Sequence, residues 1–193
     1  MNKRSGIKTK AKILAAAMKV FSTYGYAGAN IRAIAEAAGI SIGGVYLYFR
    51  NKEDLYTGLM RSQMAEFLGR IEALRKETPT AALRLLVEMH MELAVKKTRM
   101  LSASIKEYDL KFKQPIRNAF FRSQHRILSD ILKQGMLDGS FRTIDCDYTA
   151  LMILVALRGA ILSYLTGDIA KPKKFSKALH EFFLNGIRSN RHA

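Results

Sequence analysis

The 193-residue chain has one cysteine, three prolines and no tryptophan. The lone Cys146 permits no internal disulfide, which agrees with a reducing compartment, and we expect a cytoplasmic protein. So little proline, with hydrophobic residues at 49%, excludes a disordered or proline-rich chain. Runs that alternate β-branched and polar residues are missing, so nothing reads as a strand. The N-terminus lacks the apolar core and cleavage site of a signal peptide. Acidic residues are scarce, 16 against 32 basic ones.

The signatures of catalysis are missing as well. His90, His125, His180 and His192 lie on separate segments, and none has a second ligand at a zinc-binding spacing. There is no phosphate-binding G-x-x-x-x-G-K-[ST] loop and no G-x-S-x-G. The "GISIGG" of residues 39–44 follows no strand, which argues against a dinucleotide loop. We therefore expect no enzyme, no catalytic residue, no metal and no cofactor.

What the chain does have is positive charge and helical periodicity. Its net charge is +16, the footprint of a polyanionic partner. The excess is densest at the N-terminus, where residues 1–50 hold eight basic residues against Glu36 alone. The most apolar run, residues 150–165, is shorter than the roughly 20 residues of a membrane span and contains Arg158. We expect it to be a core helix, with no membrane partner.

Apolar residues recur at helical spacing along the whole chain. They predict nine helices and an all-α, two-domain architecture, with residues 1–52 a helix-turn-helix module bearing a basic arm and residues 53–193 a second domain. The first helix covers residues 7–24 and is stopped by Gly25, since glycine accepts a left-handed helix end. Asn30 caps the second helix, Gly39 ends it, and Ser41 caps a short third one that buries Val45, Tyr48 and Phe49. Small residues at Ala35, Ala37 and Ala38 let the two helices approach closely. "NKEDL" starts a fourth helix running to Thr78-Pro79. Later helices follow at residues 80–98, 101–108, 115 to Gly135 or Leu137, 148–165 and 172–187, with Asp145 or Asp147 capping the penultimate one.

A helix entering the major groove must bring its first turn close to DNA. Ser41, Gly43 and Gly44 are small enough for that approach. Tyr46 and Tyr48 can donate to phosphate or pack on a thymine methyl, and Arg32 and Lys52 can reach the backbone as cations. A glycine turn taken alone reads better as a packing corner, since helical proteins have many; joined to the basic arm and a long tethering helix it favours DNA.

Residues 8–55 together resemble the DNA-binding module of the tetracycline-repressor (TetR) family of transcriptional regulators. The resemblance is carried by Phe21 and Gly25-Tyr26, by "IAEAAGIS" at residues 34–41 and by "GVYLYFRNKEDL" at residues 44–55. It implies a repressor that binds a palindromic operator in double-stranded DNA as a homodimer and is released by a small-molecule effector. By position it implies DNA contacts from Asn30, Ile31 and Arg32, from Ser41, Ile42, Gly43, Gly44, Tyr46, Leu47 and Tyr48, and from Lys52. Asn30 stands where the family often has threonine, and Leu47 where a polar or larger aromatic group is common, so the operator sequence does not follow.

A dimer has its own argument in the last two helices. Ala156, Gly159, Ala160 and Ser163 line one face with small residues, and Leu179, Phe182, Phe183 and Ile187 offer an apolar stripe. Paired with a symmetry mate they would form an isologous four-helix interface; an intrachain core is the alternative. The two recognition helices would then stand about 34–36 Å apart. Met64, Phe67, His90, Met91, Tyr108, Phe112, Phe120, Phe121, Met152 and Tyr164 are candidate liners of an adaptable apolar effector site, though each also suits ordinary core packing. A competing class is a non-specific polyanion or membrane-surface binder driven by charge alone.

Overall fold

The computed structural model describes residues 3–96, 98 and 111–189. These form eight α-helices and no strand: α1 (Lys3–Gly28), α2 (Ile31–Ala38), α3 (Ile42–Tyr46), α4 (Lys52–Ala73), α5 (Pro79–Lys96), α6 (Gln114–Leu137), α7 (Cys146–Thr166) and α8 (Pro172–Ile187). The all-α, two-domain class holds, with eight helices among the described residues against nine expected. The short helix expected at residues 101–108 lies outside them.

Local chemistry sets several boundaries. Gly25 breaks the helical path of α1 at φ 68°, ψ 178°, and one more turn follows to Gly28. The left-handed glycine thus ends the regular path of the first helix as expected, and a separate short turn begins beyond it. α4 stops at Ala73, sooner than expected, and a 3-10 turn over Leu74–Lys76 leads to Pro79 at the start of α5. Asp145 caps α7, accepting from the amides of Asp147 and Tyr148, which resolves the choice between the two aspartates.

The chain divides into two compact units. The first takes residues up to Ala65 and the segment ending at Arg117; the second takes the rest. The division falls inside α4, later than the 52/53 boundary expected, because Leu55, Tyr56 and Leu59 bury in the first core. That core is built from Ile13, Ala17, Val20 and Phe21 of α1, Ile34, Ala35 and Ala38 of α2, and Val45 and Phe49 around α3. Ala35 and Ala38 are buried as the close helix approach requires, but Ala37 is exposed and plays no part in it.

The second core joins Phe67 and Ile71 of α4 to Leu83, Leu86 and Val87 of α5, Ile127, Leu128, Ile131 and Leu132 of α6, and Ile153, Leu154 and Leu157 of α7. α5 packs against both α7 and α8. Gly135 accommodates the Phe141 ring: a Cβ there would stand 2.2 Å from it. α7 spans 21 residues, longer than its most apolar run, so length and composition alone would let it cross a membrane. One side of it nonetheless fills the core of this unit, through Ala150, Ile153, Leu154, Leu157 and Ala160.

Candidate nucleic-acid interface and candidate effector site

Two side-chain caps build the turn between α2 and α3. Asn30 Oδ1 accepts from the Ala33 amide at 2.8 Å, and Ser41 Oγ accepts from the Gly44 amide at 3.0 Å. Each satisfies a backbone donor that the helix start would leave unpaired. Between them Gly39 takes the left-handed conformation, φ 59°, and its amide bonds back to Ala35 and Glu36 carbonyls. The result is a short helix whose Val45 is locked into the core while its opposite side is open. Ile42 is 38% exposed, Tyr46 51% and Leu47 76%. Gly43 is exposed, and a Cβ built there meets nothing within 4 Å.

Cations stand beside the residues that bracket α3, and others on the module are exposed. Lys10 Nζ lies 5.5 Å from the centroid of Phe49, Lys12 Nζ comes within 3.5 Å of the Cβ position on Gly39, and Arg32 and Arg50 are exposed. Among the other expected contacts, Asn30 and Ser41 are exposed, while Ile31, Gly44 and Tyr48 are half-buried.

Lys52 behaves differently from the expectation of a phosphate-reaching cation. Its ammonium donates to the carbonyls of Tyr26 at 2.8 Å and Ala29 at 3.1 Å, with Ala27 at 3.4 Å. It also sits 4.6 Å from the Tyr26 ring centroid. A cation at carbonyls left open by the end of α1 is favourable. Lys52 therefore ties the α1–α2 corner to the first turn of α4. Sequence reasoning missed this because the partners are backbone atoms more than twenty residues away.

Beside Lys52 lies an aromatic cluster. Tyr26, Tyr56 and Phe21 pack together, with Tyr56 edge-on to Phe21 at 4.8 Å and to Tyr26 at 5.1 Å. Phe112 completes it, 5.4 Å from Tyr26. This accounts for Phe112 and corrects its place among the effector liners: it packs in the first core. Met64 is half-buried in the same unit.

In the second unit Phe67, His90 and Phe120 do meet. Phe67 lies edge-on to His90 at 5.0 Å and 6.1 Å from Phe120. His90 Nδ1 is 2.8 Å from the Leu86 carbonyl, so that nitrogen carries the proton. Nε2 is then an acceptor, and Gln124 Nε2 donates to it at 3.3 Å. Burial pushes the His90 pKa down to about 4, against a smaller upward pull from the Leu86 carbonyl. Gln124 was not foreseen; its signal was an amide on the apolar stripe of α6. Met91 is buried, and Phe121 lies under the Arg158 guanidinium at 4.8 Å. Tyr164 is half-buried, and Tyr108 lies outside the described residues. Met152 is 62% exposed, so it faces away from the core and is corrected as a liner.

Met152 belongs instead to an open apolar stripe on α7 with Tyr148, Leu151, Val155 and Leu162. Gly159 is exposed beside them, Ala156 and Ser163 are half-buried, and Ala160 is buried. On α8 Phe182 is 73% exposed, Leu179 and Phe183 are half-buried, and Ile187 is buried in the core. Ala160 and Ile187 are thus held by their own chain, while the large side chains of the α7 stripe were missed. Their spacing along a helix apolar on all sides was the available signal. Among the described residues no three His, Cys, Asp or Glu side chains group to hold a metal.

Residues 13–59 match the family model of bacterial regulatory proteins, tetR family. The fatty acid metabolism regulator protein of Bacillus subtilis is 28% identical over 163 residues, which cover 81% of this chain and 84% of that protein. The fatty acid degradation regulator FadR from Bacillus halodurans superposes with a TM-score of 0.77 at 28% identity, covering 92% of this chain and 99% of that one. The transcriptional regulator FadR from Bacillus subtilis, in complex with stearoyl-CoA, gives 0.78 at 26% identity, with the same coverage of 92% and 99%. The N-terminal module thus matches the tetR family of bacterial regulatory proteins, and the chain as a whole is similar in sequence and in all-α fold to the FadR regulators.

Proposed function

We propose that the protein is a homodimeric repressor that binds a palindromic operator through α3 and leaves it when an acyl-CoA binds the second unit. The observation that carries the reading is the double-capped α2–α3 turn, which presents an open helix face on a strongly basic module. Charge attraction to a polyanion alone would not require so ordered a surface. Asn30, Arg32, Ser41, Tyr46 and Tyr48 serve as backbone and groove contacts, and Lys52 holds the module in shape.

The dimer rests on the apolar stripe of α7 and on Phe182 of α8. Apolar side chains this exposed and this contiguous mark an interface, and a two-fold axis would set each stripe against its copy. The effector class rests on the likeness to the stearoyl-CoA complex and on a core rich in leucine, isoleucine and phenylalanine, which suits an alkyl chain. His90 and Gln124 are the polar pair that such a chain would meet.

The test is fluorescence anisotropy on a labelled fragment of the protein's own promoter, with stearoyl-CoA, free CoA and stearate added in turn. Stearoyl-CoA is expected to release the DNA and free CoA is not. Operator binding that ignores stearoyl-CoA would reject the effector; equal binding to scrambled DNA would reject the operator reading.

A further inference from the structure

The face that α3 offers is apolar where hydrogen-bonding groups would be needed to read most bases. It consists of Ile42, Gly43, Tyr46 and Leu47, of which Leu47 is the most exposed at 76%. Of these four only Tyr46 has a polar atom in its side chain. The neighbouring hydroxyl of Ser41 is engaged by the Gly44 amide. Single exposed apolar residues are ordinary on protein surfaces. Here three fall within six residues, in a module whose Lys10 and Lys12 lie beside Phe49 and Gly39 and whose Arg32 and Arg50 are exposed. An apolar centre in a cationic module complements a groove whose walls are phosphates and whose floor carries methyl groups.

In the major groove, guanine, cytosine and adenine show only donors and acceptors, whereas thymine adds a C5-methyl group. A side chain with no donor or acceptor gains most from that methyl. Gly43, with open space where its Cβ would be, lets the backbone of α3 descend far enough for a leucine to touch the groove floor.

We propose that Leu47, flanked by Ile42 and Tyr46, reads thymine C5-methyl groups, so that apolar contact rather than hydrogen bonding sets base preference under α3. This rests on operator binding through α3. It makes Leu47 a specificity-determining residue and places thymine at the operator positions it faces.

The experiment starts from the tightest duplex that the full-length protein selects out of a random-sequence pool. Each thymine is then replaced by deoxyuridine, which deletes one methyl and keeps every hydrogen-bonding atom. A roughly fourfold loss of affinity is expected at one or two thymines of each half-site, as removal of one buried methyl implies, with no change elsewhere. Leu47→Ala, at a side chain 76% exposed, is expected to fold normally and to bind the thymine and uracil duplexes equally at the position Leu47 reads. A clear consensus that is indifferent to uracil everywhere overturns the proposal. So does a Leu47→Ala protein that still discriminates at every sensitive thymine. If selection yields no consensus, the operator reading itself fails, an outcome distinct from both.

Discussion

Lys52 shows what a single side chain does in the DNA-binding module. Its ammonium is the only part of α4 that touches the carbonyls of Tyr26, Ala27 and Ala29 among the bonds described. Lys52→Met keeps the aliphatic stem and removes the donors. It should cost about 2 kcal/mol, the scale of hydrogen bonds to a charged group, measured by urea unfolding. An unchanged midpoint would mean the ammonium is dispensable for folding. Gly135→Ala should cost about the same by overpacking against Phe141, and a variant as stable as the parent would contradict the close approach.

His90 gives a pH dependence with a definite sign. Its folded pKa, about 4, lies below the ordinary value of 6.5. The unfolded chain therefore binds the extra proton first. Stability from this group is whole above about pH 6.5 and falls as pH drops toward 4, by about 3 kcal/mol in total. His90→Gln should flatten that stretch of the stability–pH curve relative to the parent protein, and identical curves would show that His90 is not buried neutral.

At the scale of elements, what the sequence made readable was local. Asn30, Gly39 and Ser41 announce the α2–α3 turn because caps and left-handed glycines act within four residues. The residues of the first core follow from helical spacing for the same reason. Partnerships across the chain were not readable: Phe112 joining Tyr26 and Tyr56, Gln124 donating to His90, and Lys52 turning inward all depend on which surfaces meet. α7 is the clearest case. It is apolar on every side, so periodicity could not say which side faces the core and which stays open. The structure separates Ile153, Leu154 and Leu157, which are buried, from Tyr148, Met152 and Val155, which are exposed. If the open side is the dimer contact, Val155→Glu with Phe182→Glu should yield a folded monomer in sedimentation velocity. A dimer that survives both charges would place the interface elsewhere.

For the whole molecule the proposed function requires that an ordered helix face recognise a DNA sequence, with the excess positive charge only strengthening the encounter. Charge-driven binding weakens steeply with salt and ignores sequence. Specific binding also weakens with salt but keeps its preference. The most direct test is therefore the affinity of the full-length protein for its selected duplex and for a scrambled duplex of equal length and composition, measured across a series of salt concentrations. The account expects the selected duplex to bind at least about a thousandfold more tightly at physiological salt, with Tyr46→Ala and Leu47→Ala eroding that ratio. Equal affinities falling in parallel with salt would contradict it and leave a basic helical protein that binds polyanions without reading them.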